Sequence, residues 1–513
     1  MSSGPTPIGI DLGTTFSVVA RIDRHGQPET ILNAEGERWT PSAVLFEGDS
    51  VIVGSEARNA AYLEPEGFAD FAKRDMGDDG YHREIHGESY PPEVIQSLVL
   101  KKLKLDFEER YGAMSDVVVT VPAYFNEPRR KATQDAAQLA GLNVLDIINE
   151  PTAAAIAYGF QQGFLNQDGQ ATQPEQVLVY DLGGGTFDVT VMEISGGDFK
   201  TLATGGDVYL GGIDFDERLI DYACEQFFEK FGRDPRSEPA GVQRMRRISE
   251  DVKRSLTHRK KTVFPVDHHG YSLRVPVTRE QFEELTADLL TRTVFTIRTV
   301  IRQAGLQQSD LTRILLVGGS TRMPMVDATL EKEFGIRLDH SVSTDESVAH
   351  GAALYAGILM QKQRGGIQGV SVKNVNSHSL GVLGTDAKTG RPRNGVIVPA
   401  NSPLPVTKGK RFSTARAGQR SVKVSVIEGG NATGQNSTPI GECVVRELPE
   451  GLPRGTHVEV YFTYRENGRL EVRAKIPSLN RNARLIVQRE SGLNQTRLDD
   501  WKSRVDTITV TQG

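Results

Sequence analysis

Two stretches decide the fold: Ile8-Gly9-Ile10-Asp11-Leu12-Gly13-Thr14-Thr15-Phe16-Ser17-Val18, and Val179-Tyr180-Asp181-Leu182-Gly183-Gly184-Gly185-Thr186-Phe187-Asp188-Val189. Each is an apolar strand, then Asp-Leu-Gly, then small residues, then a second strand. Glycine and threonine at a tight turn let backbone N–H groups come close to phosphate oxygens, and several such groups form a concave anion site. An aspartate at the adjoining strand end can hold Mg²⁺ beside those phosphates. Two hairpins of this kind can grip a triphosphate from both sides. Asp11 and Asp181 then face the metal, and Thr14 and Thr186 offer hydroxyl contacts. The repeat, 170 residues from Asp11 to Asp181, predicts two related halves facing one cleft.

A third glycine element, Leu315-Leu316-Val317-Gly318-Gly319-Ser320-Thr321-Arg322-Met323-Pro324, reads as a buried strand entering a turn before a helix. Alone it is an ordinary strand-to-helix turn. Beside the two hairpins it can pack against a base or an α-phosphate. The surrounding chain alternates strand-like and helix-like patterns. Val117–Val121 reads as strand, Arg129–Leu139 as helix, and Gln176–Ile194 as strand, turn, strand. Phe215–Phe231 and Arg279–Gln303 read as long amphipathic helices, and Arg313–Val317 as a buried strand. This alternation predicts α/β architecture. There is no Gly-x-x-x-x-Gly-Lys-[Ser/Thr] run, no Cys/His cluster with zinc spacing and no nucleophile elbow.

After Gln363 the texture changes. Gly365-Gly366 sits in a loose segment. Ser421–Val426, Val458–Tyr464 and Leu470–Ile476 then alternate with period two, with Asn467-Gly468 as a hairpin turn. A separate all-β domain is expected from about Val375 to Gln488. Among 513 residues, 38% are hydrophobic and 25% charged, which suits a globular chain. No basic-then-apolar leader and no membrane-length apolar run is read, and the two cysteines fall in different expected domains, so a cytoplasmic chain without disulfides is expected. The net charge of −6 hides an asymmetry: residues 370–513 carry 22 basic and 12 acidic side chains, against 38 and 54 before them.

The motifs together resemble the 70-kDa heat-shock protein (DnaK-type) chaperone family, over about residues 7–500. The resembling segments are IGIDLGTTFSVV (8–19), NAEGERWTPS (33–42), VVVTVPAYFNEPRRKAT (117–133), IINEPTAAAIAYG (147–159), VYDLGGGTFDV (179–189), YLGGIDFD (209–216), LLVGGSTRMPMV (315–326), ESVAHGAAL (346–354), RFSTARAGQRSVKVSVIEG (411–429) and ESGLN (490–494). The resemblance implies an actin-like, ribonuclease H-like duplicated ATPase domain over 1–364, a linker over 365–375, a β-sandwich peptide-binding domain over 376–490, and a short tail, a truncated lid, over 491–513. It implies ATP or ADP with Mg²⁺ as cofactors, with K⁺ as a further candidate ion. The implied partners are unfolded or extended polypeptide, a J-domain co-chaperone and a nucleotide-exchange factor. Nucleic acid is disfavoured and no membrane is expected.

Residue by residue, Lys73 matches the lysine beside the γ-phosphate and attacking water, and Glu150 the acid that positions water and metal. Asp181, Thr186 and Asp188 belong to the second phosphate hairpin, with Asp11, Asp181 and Asp188 toward the metal. Gly13, Thr14, Thr15, Gly183, Gly184 and Gly185 form the two phosphate turns. Glu250, Lys253, Arg254 and Thr257, on one helix face, match an adenosine clasp, opposed by Gly318, Gly319, Ser320, Arg322 and Asp345. Pro122 and Arg130 match an interdomain relay. Val382, Phe412, Val422, Val424 and Val458 match groove-lining positions, and Ala415 an arch over the peptide; alternating valines are equally the mark of a sandwich core.

Three departures stand out. The linker positions Val370, Ser371, Val372, Lys373 and Asn374 are less apolar than the family's and lack its acid. Asp146 replaces an arginine that meets the J-domain. Gln495–Asp506 is the only lid material, and its apolar Leu498, Trp501 and Val505 (i, i+3, i+7) are expected to pack back on the β domain. Two further readings remain open: a nucleotide-switched binding module with negligible turnover, and an actin-fold sugar kinase, for which no sugar-site base is seen.

Overall fold

In the computed structural model, strand Ile8–Asp11 turns through Asp-Leu-Gly into the antiparallel strand Phe16–Ile22, and its other edge pairs in parallel with Asp116–Val121. The structure describes residues 6–114, 116–164, 174–365, 370–465, 470–479, 481–486 and 493–511. The first sheet runs Pro28–Ile31, Phe16–Ile22, Ile8–Asp11, Asp116–Val121, Asn143–Asn149. The second runs Asp198–Asp207, Phe187–Ser195, Glu175–Leu182, Arg313–Val317, Leu338–Asp339. The two orders match strand for strand: an antiparallel three-strand meander, then two parallel strands reached through helices.

In each half the parallel pair is joined by one helix, Glu127–Leu139 or Pro324–Phe334, and followed by another, Glu150–Gln161 or Ser347–Gln363. The two following helices cross in contact. A Cβ on Gly351 would stand 1.8 Å from the Ala153 carbonyl oxygen, which is why this crossing is built of glycine and alanine. Each half adds an outer part. In the first, Ala43–Glu47, Ser50–Val53 and Phe68–Asp70 form a small sheet with the short helix Ser55–Ala60. In the second, helices Gly212–Phe231 and Pro239–His258 pack on the hairpin Lys261–His268/Tyr271–Thr278. The segment expected as one helix over 279–303 is two, Arg279–Leu285 and Ala287–Gln303. Thr286, at φ −117° and ψ 6°, interrupts the helix while its hydroxyl donates to Phe282 O at 2.7 Å.

The later part is two four-stranded antiparallel sheets around one apolar core that includes Leu380, Val426, Phe462 and Val472. Strands Val422–Gly429, His457–Tyr464 and Leu470–Ile476 fall where alternation placed them. The expected Asn467-Gly468 turn, residues 490–492 of the ESGLN match and the 490/491 boundary lie outside the described residues. Within the segment expected as linker, Ser371–Lys373 adds a parallel strand to Asp198–Lys200 at the edge of the second sheet. The β unit also rests on the first half: His378 Nε2 pairs with Tyr124 O at 2.9 Å, Glu127 N donates to Glu428 Oε2 at 2.9 Å, and Tyr464 OH donates to Glu127 Oε1 at 2.5 Å.

The C-terminal helix, Gln495–Thr507, does not pack on the β unit as expected. Leu498 and Val505 are buried, with Trp501 half-buried, in the core of the first half, against helices Pro92–Tyr111 and Glu127–Leu139. Thr509–Thr511 then pairs in parallel with Ser50–Val53, and Lys101 Nζ donates to Val505 O at 2.7 Å and Ile508 O at 2.8 Å. An apolar stripe says that a helix has a buried face, not which neighbour covers it; here the strand after the helix completes a sheet edge and fixes the partner. No helix among the described residues is long and apolar enough to cross a membrane.

A candidate nucleotide cleft between the two halves

The two hairpin turns meet face to face. A Cβ on Gly184 would lie 2.2 Å from Thr15 Oγ1, and one on Gly185 would lie 2.4 Å from Thr14 Cγ2, so only glycine permits this approach. Ser320 Oγ donates to Gly183 O at 2.8 Å, which fastens the third glycine element to the second hairpin. Together they border a cleft of about 620 Å³. Gly13, Gly318, Gly319, Arg322 and Asp345 also line it.

The floor is made of carboxylates. Asp11 Oδ1 accepts from Thr120 Oγ1 at 2.9 Å, and Asp188 Oδ1 from Tyr124 N at 2.9 Å. Asp181 and Asp188 are buried, at 6% and 1% exposure. Burial, and then the charge of Glu150, push Asp11 and Asp188 each up to about 7 from an ordinary 3.8. Asp181 is driven well above 3.8 by the same two causes and by Asp188. The counter-charge is Lys73, whose Nζ donates to Glu150 Oε1 at 2.6 Å, both side chains being buried. Four clustered carboxyl groups thus face a single ammonium, that of Lys73. An all-oxygen set in which burial, and then neighbouring carboxylates, hold Asp11, Asp181 and Asp188 above the ordinary range fits a hard dication such as Mg²⁺.

The roof is helix Pro239–His258. Glu250 is paired with Arg254 at 2.7 Å and, across the cleft, with Arg58. Lys253 Nζ reaches Asp216 Oδ2 at 2.6 Å and Gly212 O at 2.8 Å. Thr257 Oγ1 bonds back to Lys253 O at 3.4 Å. Arg322 and Asp345 pair at 2.5 Å. The guanidinium carbons of Arg58 and Arg254 lie 5.5 and 5.7 Å from the centre of the Phe16 ring. The expected phosphate, metal and adenosine residues thus line one cleft, except Gly185 and Asp188, which are not among its lining residues. Sequence reading passed over Arg58, Phe16, Asp216 and Arg74, whose Nε donates to Gly185 O at 2.9 Å. Phe16 and Asp216 sit inside the quoted segments, where aromatic and acidic neighbours of a glycine turn were the available signal. Arg58 belongs to a short helix with no motif.

Other expected residues lie elsewhere. Pro122 is buried, and Arg130 donates to Asn149 Oδ1 at 2.6 Å and Ala123 O at 3.3 Å. Between them, Tyr124 joins Asp188 through its N–H and His378 of the β unit through its carbonyl. Asp146 accepts from Tyr355 OH at 3.0 Å. In the β unit Val382, Val424 and Val458 are buried in the core, Phe412 and Val422 are half-buried at its edge, and Ala415 is exposed.

In class, this is a chain of two parts: an α/β unit of two matched halves enclosing a carboxylate-floored cleft, and an antiparallel β unit resting on it. The model of the Hsp70 protein family matches residues 7–85 and 78–508, and the chain belongs to that family. Its members are chaperones that bind and hydrolyse ATP.

Proposed function

We propose that this chain is an ATP-dependent chaperone that hydrolyses ATP slowly in the cleft and binds extended polypeptide on the β unit. Residues 1–364 are the actin-like duplicated ATPase, 365–375 the linker, 376–490 the β-sandwich that holds peptide, and 491–513 the tail. The matching strand orders of the two sheets support the duplicated reading. The observation that carries the proposal is the buried Lys73–Glu150 pair set among Asp11, Asp181 and Asp188.

In this reading the backbone of Gly13, Thr14, Thr15 and Gly183, Gly184, Gly185 receives the phosphates, and Thr186 adds its hydroxyl. Lys73 supplies positive charge beside the γ-phosphate. Glu150 and Asp188 accept hydrogen bonds from the attacking water and hold it in line, so positioning and electrostatics carry the rate without a covalent intermediate. Asp11, Asp181 and Asp188 would hold Mg²⁺, which would neutralise phosphate charge there. Glu250, Lys253, Arg254, Thr257, Gly318, Gly319, Ser320, Arg322 and Asp345 enclose the adenosine. Pro122 and Arg130 flank the path from Asp188 through Tyr124 to the β unit. Half-buried Phe412 and Val422 and exposed Ala415 are the groove candidates that an arriving peptide can touch.

The test is single-turnover hydrolysis of radiolabelled ATP by the full chain. Wild type should cleave it, whereas Lys73→Ala should still bind ATP but cleave it about 10²–10³-fold more slowly. Binding without cleavage in wild type would leave a nucleotide-switched holdase, and wild-type turnover in Lys73→Ala would remove Lys73 from the mechanism.

A further inference from the structure

Away from the cleft, one group of side chains has the composition of a transition-metal site. The outer hairpin of the second half turns at His269-Gly270, with φ of 48° and 81°. A two-residue turn of this hand needs the left-handed region at both positions, and histidine is among the few non-glycine residues that enter it. On a straight strand His268 and His269 would point to opposite faces. Here their ring centres are 4.2 Å apart.

Glu238 meets them from thirty residues upstream. It precedes helix Pro239–His258 but makes no side-chain cap to that helix. Its Oε1 lies instead 2.9 Å from His269 Nε2. The ligand atoms of Glu238, His268 and His269 all lie within 4.8 Å of one another. An ordinary imidazole–carboxylate pair accounts for Glu238 and His269, whose side chains are half exposed. It does not account for His268. That residue is 8% exposed, its ring faces Phe227 and His269, and its side chain makes no hydrogen bond among the described residues. Its ring nitrogen is thus a third donor beside a pair that is already satisfied, close enough for all three to share one ion.

We infer that Glu238, His268 and His269 form a binding site for a divalent transition metal of the zinc class. Two imidazoles and one carboxylate suit Zn²⁺, Ni²⁺ or Cu²⁺, whereas Mg²⁺ and Ca²⁺ prefer oxygen alone. Zinc takes such ligands at about 2.0–2.2 Å, so the three side chains draw together when the ion enters, and a water completes the tetrahedron. The ion ties the first residue before the roof helix, which carries Glu250, Lys253 and Arg254, to the tip of the hairpin beside it. It therefore stiffens the outer part of the second half without touching the cleft.

The experiment uses tag-free full-length chain, stripped with chelator and kept in saturating Mg²⁺ and ADP so that the cleft carboxylates are occupied. Zn²⁺ is titrated by calorimetry, and Co²⁺ serves as a spectroscopic probe of tetrahedral coordination. One equivalent should bind and raise the melting temperature. His269→Ala and Glu238→Gln, both at exposed positions, should each weaken binding by about tenfold or more and abolish the thermal shift. Absence of saturable binding in the wild type, or binding unchanged in His269→Ala, would overturn the assignment. Co²⁺ bands of an octahedral, all-oxygen site would overturn it too.

Discussion

The cleft and the β-sandwich spend burial on opposite kinds of side chain. In the cleft, Lys73, Glu150, Asp181 and Asp188 are taken out of water, and the two aspartates hold protons above their ordinary range. In the sandwich, Val382, Val424 and Val458 are buried among Phe462, Val472 and other mostly apolar neighbours. Burying charge costs free energy and persists where something else uses it; burying valine stabilises the fold outright. A matched polar residue in the first region is therefore informative about function, while a matched valine in the second is explained equally well by packing.

The sharpest way to break this contrast is a pair of substitutions read in two assays. Lys73→Ala should lower the hydrolysis rate by about 10²–10³-fold while leaving peptide affinity unaltered. Val458→Ala should do the reverse to the molecule. It should lose about 2 kcal/mol of stability in denaturant melts, with hydrolysis per folded molecule unchanged. If Val458→Ala instead lowers peptide affinity without a stability loss, the valine faces a groove and the contrast fails. Phe412→Ala, at the half-buried edge, should weaken peptide binding and cost less stability than Val458→Ala, which anisotropy and melts on the same sample will show.

A smaller effect comes from pH. Asp11 and Asp188 have folded values of about 7 against 3.8 when unperturbed, so the folded state keeps protons that the unfolded state releases. Their contribution to stability is therefore most favourable below the unfolded value and declines as pH rises through the window to about 7. A bound dication must displace those protons. Affinity for Mg²⁺-nucleotide should accordingly strengthen between about pH 6 and about pH 8, with proton release that calorimetry in buffers of different ionisation heat will detect. A flat affinity across that range would mean the three aspartates are not the ion's ligands.

The hairpins were legible in the sequence because close approach of two turns admits so few residue types: Gly184 and Gly185 face Thr15 and Thr14 with no space for a Cβ. Alternation likewise marked the sandwich strands. What escaped was partnership. Arg58 reaches Glu250 from an element with no periodic or motif signal. Trp501 and its neighbours announce a stripe that fits many surfaces. Glu238 and the two histidines are separated by thirty residues, and only the hairpin's return brings them together. Sequence spacing encodes contacts along one element well, and contacts between elements only where geometry forbids the alternatives.

The smallest predicted effect concerns the tail. Thr509–Thr511 pairs with Ser50–Val53, the strand that leads directly into the helix bearing Arg58. Val510→Glu should free that edge and let the arm over the cleft open more often, with ADP release faster by about fivefold, worth roughly 1 kcal/mol. Unchanged release of a fluorescent ADP would show that the arm is held by its own sheet alone. The charge asymmetry offers a last refinement. Attraction between a basic β unit and acidic peptide flanks is screened beyond about 8 Å at physiological salt, so peptide-array signals should fall as salt is raised.

The two short strands that flank the β unit lie on different plates. Ser371–Lys373 is bonded to the second half through Asp198–Lys200, and Thr509–Thr511 to the first half through Ser50–Val53. The two attachments lie on opposite sides of the helix crossing at Ala153 and Gly351. The β unit thus lies in the chain between two strands, one closing an edge on each side of the cleft.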